Sequence, residues 1–139
     1  MVKSKNDPLS TMRHSAAHVL AAAVLKLYPK TKLGIGPAIE NGFYYDFEFE
    51  KPLSKEDLPK IEKEMAKIVK SNFPFIKKTA SLAEAKKLFK NQPYKQELIK
   101  DLESRGEKEV SFYQSGDFID LCAGPHLQST GKIGSFKLL

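Results

Sequence analysis

The stretch LGIGPAIENGFYYDFEF, residues 33–49, predicts a β-hairpin and is the clearest indication of the fold in this sequence. Its two strands, residues 33–39 and 43–49, flank Asn41-Gly42, a dipeptide typical of tight hairpin turns. Each strand is expected to divide its side chains between two faces, because the side-chain period of a strand is two. In the second strand, one face would carry Phe43, Tyr45, Phe47 and Phe49, and the other Tyr44, Asp46, Glu48 and Glu50. In the first strand, one face would carry Leu33, Ile35 and Ile39, and the other Gly34, Gly36 and Ala38.

A long apolar helix is predicted before the hairpin. Asp7-Pro8 has the character of an N-cap followed by a first helical position, and Pro29 ends the helix near Tyr28. The helix is apolar on nearly all sides, so we expect it to be central in the fold. Small residues surround His14 and His18 on one side of this helix, which leaves room there for something other than a packed side chain.

Helices and strands alternate irregularly after the hairpin. The first is a helix with Ser54 and Asp57 at its start, whose inward residues are Leu58, Ile61, Met65, Ile68 and Val69. An edge strand at 73–79, which contains Pro74, and a short helix capped by Ser81 and Glu84 follow. The last elements are a helix at 94–104 ended by Gly106 and two strands, at 110–114 and 118–121, joined through Ser115-Gly116. These elements predict an α+β fold, with a central and largely antiparallel sheet packed with helices. We assign residues 1–9 to a disordered lead-in and 10–139 to a single domain.

Composition narrows the function classes. The chain has 139 residues, enough for one domain, and its longest apolar run, residues 19–25, is too short to span a membrane. One cysteine excludes an internal disulfide and fits a reducing compartment. The net charge of +6 arises within residues 51–108, which hold 15 Lys and Arg against 9 Asp and Glu. This basic segment indicates either a polyanionic partner such as RNA or a solvated lysine-rich surface, and taken alone it favours the latter.

All three histidines and the single cysteine form two matched spacings. His14 and His18 are four apart on the predicted helix and so share a face, and Cys122 and His126 enclose a Gly-Pro that can bring them together. One interpretation is a tetrahedral zinc site made by His14, His18, Cys122 and His126. Another is a metal-free pocket that activates water, in which Asp120 joins Cys122 on one face of the last strand. Cys122 as a nucleophile remains a third hypothesis.

Three segments carry a resemblance to a known family. His14-Ser-Ala-Ala-His18, residues 35–46 and Asp120-Leu-Cys-Ala-Gly-Pro-His126 resemble the editing domain of bacterial-type threonyl-tRNA synthetase, in the threonyl/alanyl-tRNA synthetase second additional domain family. The resemblance covers about residues 10–139. The two histidine-containing spacings are shared with alanyl-tRNA editing enzymes, whereas the Gly-Pro before His126 and the Asn-Gly-Phe-Tyr-Tyr-Asp hairpin are more particular to the threonyl branch.

This resemblance implies proofreading: hydrolysis of mischarged Ser-tRNA(Thr), releasing serine and tRNA. A synthetic site that accepts threonine cannot strongly reject serine, because one methyl group is worth only about 1–3 kcal/mol, so a second pocket is needed. By motif, His14 would activate water, directly or through the terminal ribose hydroxyl, and Lys95 would stabilise the charge on the ester oxygen. The substrate-binding residues would be His18, Tyr45, Asp120, Cys122 and His126. Replacing His14 or Lys95 by Ala is expected to lower turnover while leaving folding intact.

The resemblance also implies partners and alternatives. The partners would be the tRNA(Thr) acceptor end carrying serine and the remaining synthetase domains, in the cytoplasm and without a membrane. No cofactor would be required, with zinc at the His/Cys cluster as an option. The class II catalytic core with its ATP-binding motifs is not found in this sequence, so the chain alone is not expected to aminoacylate tRNA. The alternatives are a zinc-dependent trans-editing alanyl-tRNA deacylase and a non-catalytic tRNA-binding module with structural zinc.

Overall fold

The computed structural model describes residues 8–36, 38–39, 42–122 and 124–139. Helix α1 (Pro8–Leu27) is the central element, and all residues from 15 to 24 on it are buried. It begins at Pro8 and ends just before Tyr28, as the sequence predicts. Residues 1–7 lie outside the described part of the chain, and the division into a lead-in and one domain stays a prediction.

The predicted hairpin is confirmed, but it is interrupted in the middle. Strand β1 (Lys32–Leu33) pairs antiparallel with β4 (Phe47–Glu48), and β2 (Ala38–Ile39) pairs antiparallel with β3 (Gly42–Phe43). Lys32 lies opposite Glu48, whereas Ala38 lies opposite Phe43, so the first strand contains one residue more than the second. This is the count that defines a β-bulge. The Asn41 half of the predicted turn lies outside the described residues.

The bulge overturns one prediction about the hairpin faces. Leu33 is 1% exposed, but Ile35 and Ile39, expected on the same face, are 48% and 44% exposed. An extra residue shifts the register by one, and a one-residue shift moves every following side chain to the other face. The downstream strand has no such insertion, and its alternation is confirmed. Phe43, Tyr45, Phe47 and Phe49 are buried or half-buried, and Tyr44, Asp46, Glu48 and Glu50 are exposed.

The remaining elements follow the predicted order. Three helices, α2 (Asp57–Ser71), α3 (Leu82–Leu88) and α4 (Pro93–Ser104), accompany the antiparallel sheet formed by β5 (Ile76–Ser81), β6 (Glu109–Ser115) and β7 (Phe118–Leu121), in the order β5-β6-β7. Ser81 caps α3 through a bond from the Glu84 N–H to its Oγ, at 3.2 Å. Strand β5 is an edge strand as predicted, but it begins at Ile76, two residues after Pro74, which has no N–H to donate to a ladder.

The sheet has a helix layer on each face. On one face, Val110 and Phe112 pack with Ala85 of α3, with Phe89 just after α3, and with Ile99 of α4. On the other face, side chains of β6 and β7 join the core formed by α1 and α2. The α+β class, the antiparallel sheet and the long N-terminal helix with His14 and His18 are thus confirmed. Among the helices described here, none combines the length and the apolar character that crossing a bilayer requires.

A candidate catalytic site between the first helix and the sheet

His18 is the deepest histidine of the site. It is 2% exposed, and its Nε2 lies 2.9 Å from Ser115 Oγ on β6. The rings of Phe75 and Phe118 pack edge-on against its imidazole, with centroid distances of 5.1 and 4.8 Å. Its Nδ1 has no hydrogen-bond partner among the described residues. His18 is therefore held by packing and by one hydrogen bond, with one ring nitrogen available inside the site.

The loop after β7 brings Cys122 and His126 to α1, as their spacing predicts. The loop turns at Gly124, which has a φ of +80°, and its N–H donates to Cys122 Sγ at 3.3 Å. A Cβ at Gly124 would overlap the phenol of Tyr113, so the close approach of this loop to the sheet requires glycine. Beyond the turn, the Leu127 N–H donates to Ser15 Oγ at 2.8 Å, which fixes the loop to the helix.

His126 completes the histidine wall, the name used here for His14, His18 and His126. Its ring centroid is 5.7 Å from that of His14 and 5.2 Å from that of His18. The opposite side of the imidazole stacks on the ring of Tyr113, at 4.2 Å. His126 Nε2 is buried without a partner in the described structure. The two spacings recognised in the sequence therefore do converge on one place.

Burial keeps the histidine wall uncharged at neutral pH. The pKa of His126 is lowered to about 4; burial is the largest cause, the hydrogen bond with the Pro125 carbonyl opposes the shift, and nearby His14 adds to it. Burial likewise brings the pKa of His18 well below its usual range, with His126 and Lys95 adding to the effect. The pKa of His14 is also lowered by burial, although the Asp120 carboxylate opposes the shift. Each imidazole can thus accept a proton at pH 7.

Cys122 is held as a thiol beside the half-buried His14. Its Sγ lies 3.8 Å from His14 Nδ1. Burial raises the pKa of this thiol, and the donated Gly124 N–H opposes the shift. A nucleophilic cysteine needs a lowered pKa. The raised pKa of Cys122 disfavours the covalent hypothesis.

Next to the histidine wall lies a charged group, which we call the Asp120 triad and which comprises Asp120, Lys95 and Tyr45. Asp120 Oδ1 is 2.7 Å from Lys95 Nζ, and Oδ2 accepts a 2.7 Å hydrogen bond from the Tyr45 hydroxyl. Lys95 is 1% exposed and also lies over the Tyr45 ring, 5.4 Å from its centroid. Burial and the neighbouring carboxylate raise the pKa of Tyr45, so it stays a protonated donor.

The hairpin and α4 deliver these two partners of Asp120. A Cβ at Gly36 would overlap the ring of Tyr45. Glycine at position 36 therefore leaves the space that the Tyr45 ring occupies. Lys95 sits in the first turn of α4, a helix that begins with Pro93. A groove of about 720 Å³ lies on the other side of the hairpin, lined mainly by apolar side chains. It touches Tyr45 but contains neither a histidine nor Asp120, so the polar chemistry lies elsewhere.

Three of the four predicted metal ligands lie together. Ligand atoms of His14, Cys122 and His126 all lie within 4.8 Å of one another, and these three residues could hold a metal ion. His18, the fourth predicted ligand, is outside this set; its Nε2 bonds Ser115 Oγ, and its Nδ1 has no partner among the described residues. One thiol and two imidazoles are ligands that zinc prefers, and three protein ligands leave an open position. The four-ligand zinc shell that includes His18 stays a prediction, and among the described residues the three that lie together are His14, Cys122 and His126.

Two residues of the site were not predicted from the sequence. Tyr113 stacks on His126, and Ser115 binds His18. A usable signal existed, because the turn at Ser115-Gly116 fixes the β6–β7 register and places Tyr113 directly opposite Asp120. Alternation then puts Tyr113 and Ser115 on the face that carries Asp120. The local sequence of β6 contains no motif that would single them out.

Comparison with known proteins identifies a matching family and similar chains. Residues 110–139 match the family described as the threonyl and alanyl tRNA synthetase second additional domain. A threonine–tRNA ligase of Dehalococcoides mccartyi is 55% identical over 131 residues, which are 94% of this chain and 22% of the ligase. The ligases of Acetivibrio thermocellus and Thermotoga maritima are 58% identical over 129 residues and 56% identical over 130, in each case 91% of this chain and 20% of the ligase.

The chain thus spans about a fifth of the length of the curated relatives it matches. The matched family segment, residues 110–139, includes β6, β7 and the loop with Cys122 and His126. The longer matches to the ligases also take in α1 and the hairpin, because they cover more than nine-tenths of the chain. On this basis the chain belongs to the threonyl-tRNA synthetase family and corresponds to the region of those ligases that contains the second additional domain, the editing domain.

Proposed function

We propose that this domain hydrolyses the ester bond of Ser-tRNA(Thr), releasing serine and tRNA. The observation that carries the proposal is the position of His14, an uncharged and half-buried imidazole beside the Asp120 triad. A base and a fixed carboxylate side by side suit an ester whose acyl group carries a positive amine. The family relationship supports the same reading, since its relatives are threonine–tRNA ligases.

His14 is the best placed base of the histidine wall. It is more exposed than His18, whose Nε2 is already bonded to Ser115. In the proposed step, His14 takes a proton from water while the water oxygen attacks the ester carbonyl carbon. The bond to the ribose oxygen then breaks, and the proton passes to that oxygen, so that free serine and the tRNA hydroxyl leave. General-base assistance of this kind contributes about 10²- to 10⁴-fold.

Asp120 would bind the seryl ammonium or hydroxyl. Lys95 and Tyr45 each occupy one of its oxygens, but a carboxylate has about four lone-pair sites, so each oxygen can accept a further bond. Lys95 would stabilise charge developing on the ester oxygen. Because it is buried, its positive charge acts through a medium of low dielectric and is effective without being exposed to water.

The other assigned residues would shape the pocket. His18, Tyr45, Cys122 and His126 would line it closely enough to admit serine and to clash with the extra methyl of threonine, which gives stronger discrimination than a missing contact. No cofactor is needed for this chemistry. If zinc were bound, His14, Cys122 and His126 would hold it, and it would supply Lewis-acid polarisation. The partners would be the serine-bearing acceptor end of tRNA(Thr) and the other synthetase domains, in the cytoplasm.

The test is a deacylation assay on Ser-tRNA(Thr) and Thr-tRNA(Thr), with and without a chelator. We expect loss of serine much faster than loss of threonine, and no effect of the chelator. His14→Ala should lower the rate by about 10²-fold or more without loss of folding by circular dichroism. Met12→Leu is the matched control, because Met12 lies on the same helix but faces the apolar groove, and it should leave the rate unchanged.

Other outcomes would support the alternatives. Chelator-sensitive hydrolysis of Ala-tRNA(Ala) in place of Ser-tRNA(Thr) would indicate an alanyl-type, zinc-dependent deacylase. A folded protein that hydrolyses neither seryl nor alanyl esters at high concentration would contradict the proposal. Tight metal retention in that case would favour a tRNA-binding module with structural zinc.

A further inference from the structure

Strand β5 extends the face of the sheet on which the site lies. Lys77 on β5 is directly opposite Tyr113 on β6, which in turn is directly opposite Asp120 on β7. Residues that face each other across a ladder point to the same side of a sheet. Lys77 therefore shares the side of Tyr113 and Asp120, whereas Lys78 lies in the row of Phe112 and Leu121, on the side of α3 and α4.

The distance between Lys77 and Asp120 suits a substrate that extends from the site across strands β6 and β5. Neighbouring strands are about 4.8 Å apart, so the Lys77 backbone lies roughly 10 Å from that of Asp120. The flexible four-carbon stem of lysine can close much of this distance. Lys77 is exposed, unlike Asp120 and Tyr113.

The ion pair within the site offers no net charge to an anionic substrate, because Asp120 Oδ1 lies 2.7 Å from Lys95 Nζ. Nine described residues of the three strands share this side of the sheet: Lys77, Thr79, Ser81, Glu109, Ser111, Tyr113, Ser115, Phe118 and Asp120. Lys77 is the one cation among them.

From this placement we infer that Lys77 binds the phosphate of the nucleotide that carries the seryl ester. That phosphate is separated from the ester oxygen by a single ribose, so it lies beyond the reacting atoms on the way out of the site. Lysine is a common phosphate ligand and acts there as a point charge. The inference rests on the proposed function and adds to it a binding residue outside the family motifs quoted above.

The experiment compares two small esters, 3′-O-seryl adenosine and 3′-O-seryl adenosine 5′-monophosphate, which differ only in the phosphate. The measured quantity is the ratio of their kcat/KM values. For the unaltered protein we expect a preference of roughly two- to fivefold for the phosphate-bearing ester, the size of an exposed ion pair. Lys77→Gln should bring the ratio close to one, through KM, and Lys77→Arg should keep the preference. Lys78→Gln, on the opposite side of the same strand, should keep it as well.

The outcomes distinguish a failure of the role of Lys77 from a failure of the proposed hydrolytic function. Hydrolysis of both esters with the same ratio in Lys77→Gln as in the unaltered protein would overturn the role of Lys77 and leave the proposed function standing. A ratio of one in the unaltered protein would do the same. Failure to hydrolyse either ester would contradict the proposed function itself. A preference that disappears both in Lys77→Gln and at high salt supports the inference, because salt screens an exposed pair.

Discussion

His18 and Asp120 are polar groups of one site, 2% and 5% exposed, but they are accommodated in different ways. His18 is surrounded by aromatic rings, keeps one nitrogen without a partner among the described residues, and stays neutral because burial penalises its charge. Asp120 is instead paired, because a buried lysine and a buried tyrosine hydroxyl each contact one of its oxygens. The free-energy cost of burying a polar side chain can thus be limited either by keeping the group neutral or by pairing it with other polar groups.

This difference gives the histidine wall and the Asp120 triad separate tasks in the proposed chemistry. A neutral imidazole that is only half-buried can accept a proton from water, so within the histidine wall His14 suits the activation of water. A carboxylate whose charge is already compensated is a fixed acceptor, so the Asp120 triad suits the orientation of an amine. If this division is correct, the two regions should respond differently to charge removal, acid, added bulk and loss of a hydrogen bond.

Removing the charge of Lys95 should have the largest effect on stability. Lys95→Met leaves the Asp120 carboxylate buried and unpaired, which we expect to lower the free energy of unfolding by about 3–5 kcal/mol in urea denaturation. This cost differs from the expectation drawn from the sequence, that Lys95 could be truncated without affecting folding. The physical reason is that Lys95 is 1% exposed and has its partner 2.7 Å away.

The double variant Lys95→Met with Asp120→Asn provides the control. It removes both charges and keeps an acceptor for the Tyr45 hydroxyl, so most of the lost stability should return, giving a coupling energy well above that of an exposed pair. A cost below about 1 kcal/mol for Lys95→Met alone, typical of exposed ion pairs, would contradict the description of a buried charged group.

Acid should destabilise the histidine wall over a defined pH range. The folded pKa of His126 is about 4 and its ordinary value 6.5, so the unfolded chain binds the proton more readily. Stability is therefore complete above pH 6.5 and falls as the pH drops towards 4, by about 1.4 kcal/mol per unit and about 3 kcal/mol in total from this residue. Urea denaturation at several pH values, with a chelator present, measures this slope.

His126→Asn isolates the contribution of this one residue. Carboxylates and His18 titrate in both proteins, so the difference between the two slopes belongs to His126. We expect the variant to lose stability less steeply between pH 6.5 and 5. Parallel curves would mean that His126 is not kept neutral by its surroundings.

Local signals predicted most of the fold but not the hairpin bulge. The Ser81–Glu84 cap, Gly106 after the helix at 93–104 and the Ser115-Gly116 turn are all short-range features, and each marks the element it predicts. The bulge shifts Ile35 and Ile39 to the solvent side, and it depends on pairing between strands. Ile35 and Ile39 are apolar, so their residue type does not indicate that they are exposed.

The site was predictable where it depends on spacing and unpredictable where it depends on distant pairing. His14 and His18 share a helix face, and Cys122 and His126 share a loop, so their convergence could be expected. Lys95 is one lysine among many, and its burial follows from a partner 25 residues later in the chain, Asp120. Its selection from the sequence came from the family resemblance. The bond between His18 and Ser115 has the same long-range character.

Added bulk at Gly36 should disturb the Asp120 triad without touching the histidine wall. Gly36→Ala places a methyl group in the ring of Tyr45, which cannot move away without losing its bond to Asp120. Overpacking of this kind typically costs about 1–3 kcal/mol, and we expect that loss in urea denaturation. Gly42→Ala is the matched control in the same hairpin, because a Cβ there meets no atom within 4 Å. Equal effects of the two variants would show that Tyr45 is not seated against Gly36.

Loss of the hydroxyl that binds His18 should have the smallest effect of the four. Ser115→Ala removes the partner of His18 Nε2, 2.9 Å away, and we expect it to lower the free energy of unfolding by about 1 kcal/mol. The effect is smaller than that of Lys95→Met because a neutral nitrogen, and not a charge, is left without a partner. Ser71→Ala serves as the comparison, since its exposed hydroxyl bonds only the Lys67 carbonyl, and it should change stability by less than about 0.5 kcal/mol. A loss for Ser115→Ala as large as that for Lys95→Met would mean that His18 is charged in the folded protein, and the contrast between the two regions would fail.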